Sequence, residues 1–452
     1  MQIIIQGNRD YQKFLASVKN NETTIVRHNC FTLRQETKDG MLLCNTLTGE
    51  LVLLSDEEKE QYDQPALKAS PVLTDLIKHR FVVADDYRED QAADQLRALM
   101  MKRREAKKTI NHYNILPTTF CNAHCFYCYE SGIRHVHMSE ETARNLVGFI
   151  AEHHGNKKVK LAWFGGEPMV GLKRIDQICG ELESRNIAFE SEMTSNGYLF
   201  DAELVKRAKE AWKLKSIQIT LDGPEDVYNR IKAYTGVSDN PYQRVLQNIG
   251  YFADAGIHVD IRLNLDTHNA ENLVALIQEL ADHFPDKKHL HVYVAILDEG
   301  AGFEPIQHQQ GDLDALRQQL IDLQELLESK GWPQYKDEKL PSLRLACCMA
   351  DNPSAVQCTP DGIFSKCEDQ IYNHTVGSLE DGIVDQDTIR WWQERRAFEG
   401  CTECPLYPSC IRLLKHCPVK TTKCTDYDKA RRIARYKEIM LEEYEKWKSN
   451  AT

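Results

Sequence analysis

Cysteine is the residue type whose number and placement in this sequence point most directly to chemistry. The chain has 452 residues and 15 cysteines. Three lie between residues 121 and 128, nine lie between residues 347 and 424, and the isolated ones are Cys30, Cys44 and Cys179. The first ten residues lack the basic start and long apolar segment of a secretion signal, so we expect a reducing, cytoplasmic compartment. Clustered reduced cysteines indicate thiolate ligands or catalysis, whereas isolated ones are expected to be small buried hydrophobic residues.

The first cysteine group is compact. Cys121, Cys125 and Cys128 lie within eight residues, with the spacing C-x3-C-x2-C. Three thiolates so close together can bind three irons of a four-iron cluster, which leaves the fourth iron open. A zinc loop completed by His124 is the alternative, but zinc sites typically use spaced pairs of cysteines. The spacing therefore predicts an iron–sulfur site with one open position.

The second cysteine group is longer and has two blocks. It begins with Cys347, Cys348, Cys358 and Cys367, and continues with Cys401, Cys404, Cys410, Cys417 and Cys424. Glycine and proline interrupt this stretch, as expected where metal ligation substitutes for a large core. Two fully ligated four-iron clusters would use eight of the nine thiolates. Because the neighbours Cys347 and Cys348 are not expected to serve the same role, one of them would be surplus.

Three short polar motifs follow segments that are predicted to be strands. They are Gly165-Gly166-Glu167-Pro168, Ser195-Asn196-Gly197 and Thr220-Leu221-Asp222-Gly223. Glycine lets the backbone approach a ligand closely, and a carboxylate can accept hydrogen bonds from an ammonium group. By itself, Gly-Gly-Glu-Pro is typical of an ordinary turn, and its position after a predicted strand is what sets it apart.

The elements that must position these residues alternate between strands and amphipathic helices. Strands are predicted at residues 113–117, 159–164, 188–194, 216–221, 258–265 and 291–296. Six such repeats predict an α/β fold, an open partial (β/α)6 barrel with right-handed parallel crossovers. The polar motifs would then meet at the carboxyl ends of the strands. Arg262 and Asn264 on the fifth strand are expected to face the cavity.

The regions outside the barrel predict four further segments. Residues 1–105 read as a winged-helix-like α+β domain, with a strand at 24–33, a hairpin at 41–54 and helices at 56–63 and 71–78. The barrel takes 106–310, a bridging helix 311–345, the cysteine-rich domain 346–428 and a C-terminal helix 429–452.

Composition excludes several classes of protein. Hydrophobic residues make up 42% and charged residues 27%, and the formal net charge is −12. The apolar runs are far shorter than a membrane span, and an acidic balance disfavours nucleic acid and anionic lipid. We therefore expect no membrane and no nucleic-acid partner.

Together, the cysteine loop, the Gly-Gly-Glu-Pro motif and the strand-end motifs resemble the radical S-adenosylmethionine (SAM) superfamily. This resemblance implies that Cys121, Cys125 and Cys128 hold a [4Fe–4S] cluster whose open iron binds SAM. It implies further cofactor contacts by Tyr127, Gly165, Gly166, Glu167, Ser195, Asn196, Thr220 and Asp222. Family members often carry an arginine shortly after the Asp-Gly turn. Arg230, Lys232 and Arg244 all lie nearby, and Arg230 is our choice.

The second cysteine group resembles the SPASM extension of this superfamily, which binds two auxiliary [4Fe–4S] clusters. The resemblance assigns Cys401, Cys404, Cys410 and Cys424 to the second cluster. It assigns Cys348 (or Cys347), Cys358, Cys367 and Cys417 to the first. In an alternative, Cys358 is unligated and an iron is open to a substrate thiolate. The six residues between Cys410 and Cys417, where the family usually has three, put the ligand assignment in doubt.

The N-terminal region resembles the recognition element of enzymes that modify ribosomally made peptides. Such elements bind the leader of a precursor peptide as an added strand; an oligomerisation domain is the alternative. The whole chain is thus similar to radical SAM/SPASM peptide maturases of the sactipeptide and ranthipeptide type, which also need a reducing protein such as flavodoxin or ferredoxin.

The function implied by the resemblance is an oxidoreductase reaction that crosslinks a peptide. A cysteine thioether is the first expectation, and a carbon–carbon or carbon–oxygen crosslink the second. A formylglycine-forming sulfatase maturase and a non-catalytic metal scaffold are the rivals. Asp222, Glu130 and several tyrosines stay open as the general base.

Overall fold

The computed structural model describes residues 1–17, 25–64, 70–297, 310–332, 339–419 and 423–451. It divides into two compact units. The first comprises residues 1–107, 336–352 and 393–452, and the second comprises residues 108–335 and 353–392.

The helices and strands follow one another along the chain in three parts. The N-terminal part contains β1 (Gln2–Ile5), α1 (Arg9–Ser17), β2 (Val26–His28), β3 (Thr32–Thr37), β4 (Gly40–Asn45), β5 (Glu50–Leu54), α2 (Asp56–Asp63), α3 (Pro71–Lys78), β6 (Val82–Ala84) and α4 (Glu89–Glu105). The central part contains β7 (His112–Ile115), α5 (Glu140–His153), β8 (Val159–Trp163), α6 (Leu172–Ser184), β9 (Phe189–Ser195), α7 (Ala202–Glu210), β10 (Leu214–Leu221), α8 (Glu225–Lys232), α9 (Pro241–Asp254), β11 (His258–Leu265), α10 (Ala270–His283), β12 (Leu290–Ile296) and α11 (Gln310–Ser329). The last part contains β13 (Ala355–Cys358), β14 (Ile363–Ser365), β15 (Gly377–Ser378), β16 (Gly382–Ile383), α12 (Gln386–Gln393) and α13 (Asp426–Ala451).

The first unit is built on an antiparallel sheet with the strand order β1-β5-β4-β3. Because side chains alternate along a strand, the sheet has two apolar faces. One face packs on α2 and α3, and the other packs on α13. Two helices begin where serine caps the first turn: Ser55 and Glu58 form a capping box at α2, and Ser70 caps α3 ahead of Pro71.

The sequence predicted much of this unit correctly. The hairpin of β4 and β5 and the bounds of α2 and α3 are confirmed. The single strand predicted at 24–33 is wrong over its described part, because a turn separates β2 from β3. The Asn29 side chain organises that turn: its oxygen accepts the Phe31 N–H at 2.7 Å, and its amide donates to the Arg80 carbonyl. Residue 24 lies outside the described residues.

The second unit contains the six parallel strands that the sequence predicts, in the order β7 to β12. Apolar side chains of these strands and of the surrounding helices form one continuous core. The partial barrel and the α/β class are therefore confirmed.

The sheet continues past β7 in a way the sequence did not predict. β13 pairs in parallel with β7, and β14, β15 and β16 follow as antiparallel strands. Residues 353–392 of the predicted cysteine-rich domain therefore belong to the barrel unit, whereas residues 393–452 belong to the first unit. Helix α11, predicted as a bridge, packs on β12 and α10 within the barrel unit.

No helix in the described parts of the chain is long and apolar enough to cross a membrane.

Candidate functional site

The loop that follows β7 brings the first three cysteines together. Cys121, Cys125 and Cys128 are all half-buried, and the Cys128 N–H donates to the Cys125 carbonyl at 3.1 Å. The carbonyl of Lys232 accepts the N–H of His124, whose side chain is exposed. The geometry fits three thiol ligands on one short loop, with His124 directed to solvent.

Burial decides the charge of these thiols. Desolvation raises the pKa of Cys121 to about 12 and that of Cys128 to about 11, and the neighbouring thiols add to both shifts. Without metal, both side chains are therefore protonated at neutral pH. Iron binding needs thiolates, so loading this loop releases protons.

The Gly-Gly-Glu-Pro motif lies directly against the cysteine loop. Gly165 has a φ of +101°, and a Cβ at Gly166 would lie 2.4 Å from the Phe120 carbonyl oxygen. Only glycine permits this close approach of two backbones. The motif thereby places Glu167 behind the loop, where its side chain is completely buried.

Hydrogen-bond donors at the ends of β8 and β9 hold the Glu167 carboxylate. Oε1 accepts the Met169 N–H at 3.1 Å and the Ser195 hydroxyl at 2.8 Å, and Oε2 accepts the Asn196 N–H at 2.8 Å. Burial raises the pKa of Glu167, while these hydrogen bonds oppose the rise. The Asn196 amide also donates to the Asn122 side chain at 2.8 Å, which ties the end of β9 to the cysteine loop.

A second charged group lies at the end of β10. Lys232 Nζ is 3.0 Å from Asp222 Oδ2, and both side chains are buried. The Tyr127 hydroxyl donates to both Asp222 oxygens at 2.8–2.9 Å, and the Asn264 amide donates to Oδ1 at 3.0 Å. Burial alone would lower the pKa of Lys232, but Asp222 and Tyr127 outweigh it and raise that pKa well above its usual value. The lysine is therefore charged and paired.

Most residues predicted for this site come together at the carboxyl ends of β7 to β10. Those with contacts at this end of the barrel are Cys121, Cys125, Tyr127, Cys128, Gly165, Gly166, Glu167, Ser195, Asn196 and Asp222. Thr220 lies within β10, opposite Arg262 of β11. Asn264 faces the site as expected.

Arg230 is not placed at this group. Its side chain is exposed on α8, and the basic side chain that reaches Asp222 is Lys232. The helical repeat explains the difference, because Lys232 lies four residues after the buried Tyr228 and shares its face, whereas Arg230 points the opposite way. Choosing by helix face would have selected Lys232.

Comparison with known proteins assigns this region. Residues 115–280 match the model of the Radical SAM superfamily. The chain contains a radical SAM domain. A domain of this superfamily implies SAM and a [4Fe–4S] cluster, which agrees with the thiols of the β7 loop.

Individual relatives resemble the chain only distantly. An uncharacterized protein of Methanocaldococcus jannaschii is 26% identical over 119 residues, which are 26% of this chain and 40% of that relative's length. Among solved structures, anSMEcpe with bound AdoMet and the Cp18Cys peptide has a TM-score of 0.54 and 14% identity, covering 74% of this chain and 99% of that one. Streptococcus suis SuiB bound to the precursor peptide SuiA has a TM-score of 0.50 and 14% identity, covering 85% of this chain and 94% of that one. These similarities show that the chain shares its fold with anSMEcpe and SuiB.

Four cysteines outside the radical SAM domain also lie close together. In the first unit, Cys401, Cys404, Cys410 and Cys424 influence one another electrostatically. Burial is the main cause that raises the pKa of the Cys401, Cys404 and Cys424 thiols, and neighbouring thiols raise it further. The arrangement fits the four ligands of one iron–sulfur cluster.

Cys347 and Cys348 have different surroundings. Cys347 Sγ lies 3.4 Å from Arg395 Nη1 and 3.5 Å from the carbonyl oxygen of Cys410. Desolvation of the Cys348 thiol raises its pKa to about 11, and Asp351 and the thiol of Cys417 raise it further. The backbone N–H groups of both cysteines donate to Asp351, so the two residues share that carboxylate, whereas the contact with Arg395 belongs to Cys347.

Cys358 and Cys367 belong to the barrel unit. Cys358 ends β13, is completely buried in the apolar core, and donates its thiol hydrogen to the Thr359 carbonyl. Among the isolated cysteines, Cys44 and Cys179 are buried hydrophobic residues as predicted, and Cys30 is half-buried.

Proposed function

We propose that the chain is a radical SAM maturase that forms a crosslink within a ribosomally made peptide, with a cysteine thioether as the first candidate product. The observation that carries this proposal is the set of charged groups buried behind the three-cysteine loop. Glu167 lies beside the same loop as Lys232, which pairs with Asp222. The negative Glu167 suits the ammonium group of an amino acid, and the positive Lys232 suits its carboxylate group. SAM presents both groups.

When bound, the cluster and SAM supply a 5′-deoxyadenosyl radical that removes a hydrogen atom from a carbon of the peptide. Cys121, Cys125 and Cys128 would hold the cluster. The Glu167 carboxylate, held by backbone N–H groups, would accept hydrogen bonds from the ammonium group. Lys232 would face the carboxylate group. Because Glu167 and Lys232 are both buried, water is kept from them. Their contacts with the ammonium and carboxylate groups would therefore be stronger than in solvent.

A peptide substrate is supported by the solved structures with this fold. AnSMEcpe binds the Cp18Cys peptide, and SuiB binds the precursor peptide SuiA. A thioether is the first candidate product, and a carbon–carbon or carbon–oxygen crosslink is the second.

Strand β3 is the proposed docking edge for the leader. It ends the sheet of the first unit among the described residues, and its six residues pair with β4 without a bulge. The opposite edge strand, β1, is interrupted by an irregularity between Ile3 and Ile5, which disfavours addition of a strand. The Lys38-Asp39 turn makes Thr37 and Gly40 a hydrogen-bonded pair, so residues 34 and 36 turn their N–H groups to the open edge.

The second group of cysteines would bind auxiliary clusters. The four neighbouring thiols of Cys401, Cys404, Cys410 and Cys424 support one cluster. For the other, Cys348 is the proposed ligand rather than Cys347, because Cys347 contacts Arg395. The apolar surroundings of Cys358 favour the alternative in which it is not a ligand.

SAM cleavage tests the catalytic part of the proposal. The chain is reconstituted anaerobically with iron and sulfide, reduced with dithionite and given SAM, and 5′-deoxyadenosine is measured. We expect product from the native chain and none from Cys125→Ala. Cys179→Ala, which changes a buried cysteine outside both groups, is the matched control and should retain cleavage. A well-loaded native protein that never cleaves SAM would leave the non-catalytic scaffold as the explanation.

The leader-binding edge is tested with a precursor peptide, to be sought as a short open reading frame beside the gene. Glu36→Pro removes an N–H from the open edge without breaking a bond to β4, whereas Glu36→Ala loses the same ion pair with Lys59 but keeps that N–H. We expect Glu36→Pro to weaken peptide binding and the two-dalton mass loss per crosslink, with uncoupled SAM cleavage unchanged. Full crosslinking by this variant would show that the leader does not bind at β3.

A further inference from the structure

A group of possible metal ligands lies at the amino ends of β11 and β12, away from the cofactor site. Val259 and Ile261 are completely buried, so the alternate residues His258 and Asp260 lie on the other face of β11. That face also carries Asn264, which bonds to Asp222, and it is therefore the inner face of the barrel. At about 3.3 Å per residue, the six steps from His258 to Asn264 span roughly 20 Å.

Two histidine side chains converge there on one carboxylate oxygen of Asp260. His291 Nδ1 is 2.8 Å from Asp260 Oδ1, and His258 Nε2 is 3.4 Å from the same oxygen. The donor atoms of the three residues all lie within 4.8 Å of one another. The two imidazole rings are stacked, with their centroids 6.3 Å apart and a tilt of 20°.

The backbone imposes this convergence. Asp260 and His291 are direct partners in the parallel register of β11 and β12, and His258 precedes Asp260 by two residues on the same face. The ligand set is thus fixed by pairing between the last two parallel strands of the barrel, which reduces the reorganisation that ion binding would require.

The 3.4 Å between His258 Nε2 and Asp260 Oδ1 matches the ligand spacing of a tetrahedral ion, and the 2.8 Å hydrogen bond between His291 Nδ1 and Asp260 Oδ1 would lengthen by about 0.5–0.8 Å when an ion replaces it. Zinc lies about 2.0–2.2 Å from nitrogen and oxygen ligands, which places neighbouring ligand atoms about 3.3–3.6 Å apart. Two imidazole nitrogens with one carboxylate oxygen suit zinc, whereas calcium and magnesium favour oxygen ligands alone. The His258 side chain is 44% exposed and that of Asp260 is 30% exposed, so an ion and a water ligand can enter from solvent.

We propose that His258, Asp260 and His291 bind one zinc ion, which joins the amino ends of β11 and β12. The site lies at the end of the barrel opposite the cysteine loop and uses no thiolate. Its role is structural: zinc stabilises the pairing of the last two parallel strands and takes no part in the reaction at the other end.

The test uses the full chain with its clusters loaded, since empty cysteine sites would also take up zinc. The protein is equilibrated anaerobically with buffered zinc, its metal content is measured by mass spectrometry, and the zinc ligands are identified by X-ray absorption. We expect one zinc per chain with nitrogen and oxygen at about 2.0–2.1 Å. Sulfur at about 2.3 Å as the ligand shell would overturn the proposal.

Substitution separates this site from adventitious binding. His258→Ala should weaken zinc binding by at least about 10–100-fold, the loss seen when even an outer-shell partner is removed. His283→Ala removes an exposed histidine of α10 and should bind zinc as the native chain does. Equal zinc content in His258→Ala and the native protein would overturn the proposal.

Thermal unfolding provides a second test in case His258→Ala folds poorly. Asp260→Asn keeps the size of the side chain and should also lose zinc binding. Zinc should raise the midpoint of thermal unfolding of the native chain and of His283→Ala, but not of Asp260→Asn or His258→Ala, because only a folded site gains from the ion. The same rise in all four proteins would refute the assignment.

Discussion

Glu167 and Asp222 are both buried carboxylates beside the cysteine loop, yet the chain stabilises their charges by different means. Glu167 has two backbone N–H groups and one hydroxyl as donors. Asp222 has a full positive charge at 3.0 Å, supported by Tyr127 and Asn264. A carboxylate held by backbone depends on local chain geometry, whereas one held by a lysine depends on a single distant side chain. The two should therefore fail differently when they are perturbed.

The largest effect is expected from breaking the ion pair. Lys232→Met keeps the length of the side chain but leaves Asp222 buried without its cation, and we expect a loss of about 3–5 kcal/mol in the free energy of unfolding. Arg230→Met is the matched control on the same helix and should change it by less than about 0.5 kcal/mol. Urea denaturation of both variants measures the difference. Equal values for the two would show that the pair contributes nothing to the fold.

A smaller effect is expected at the backbone-held carboxylate. Glu167→Gln replaces one acceptor oxygen by an NH2 group, which must face a backbone or hydroxyl donor, so we expect a loss of about 1–3 kcal/mol. The variant should also lose SAM binding, measured by equilibrium dialysis. Glu192→Gln changes an exposed glutamate of the same strand as Ser195 and should keep SAM binding. SAM binding by Glu167→Gln at native strength would contradict the assigned role.

The two groups should also differ in their dependence on pH. Burial raises the pKa of Glu167 in the folded chain above the usual 4.5, so its contribution to stability is complete below that pH and declines as the pH rises through the folded pKa. The deficit of Glu167→Gln relative to the native chain should therefore shrink between pH 4 and pH 7. The pKa of Lys232 is also raised, but from 10.5, so its contribution should stay constant over this range. Urea denaturation at both pH values checks this, and a deficit that grows with pH would contradict the sign.

The smallest effect is expected from one supporting hydroxyl. Ser195→Ala removes one donor to Glu167 and should cost about 1 kcal/mol of stability and weaken SAM binding. Ser191→Ala removes a buried hydroxyl on the same strand, which donates to the Trp212 carbonyl at 2.7 Å. This control should lose similar stability without any change in SAM affinity. If both variants bind SAM equally well, the hydroxyl of Ser195 serves the fold alone.

The same contrast explains what could be predicted from the sequence. The loop of Cys121 to Cys128 and the Gly165-Gly166 turn act through local backbone geometry, so their spacing alone located them. Lys232 acts through a helix face and a partner ten residues away, and counting from the Asp-Gly turn chose Arg230 instead. Side-chain orientation, rather than residue type, separated the two.

The long-range pairing of β13 with β7 could not be predicted from the sequence, for a different reason. The four residues of β13 form too short a strand for their own pattern to name a partner, and only the fold shows that they pair with β7. Glycines and prolines around Cys358 suggested an irregular metal-binding segment. Because β13 is an inner strand of the sheet, Cys358 lies in the core instead.

The pairing of β13 with β7 also affects when, during synthesis of the chain, the cysteine loop can receive iron. The Asn114 amide donates to the Gln357 side chain at 3.0 Å across a separation of 243 residues. Until residues 355–358 leave the ribosome, β7 is an open edge strand, and the loop that follows it is supported on one side only. Iron insertion at Cys121, Cys125 and Cys128 is therefore expected to occur on the finished chain rather than during translation. A ribosome-bound fragment that ends before β13 should accept no cluster.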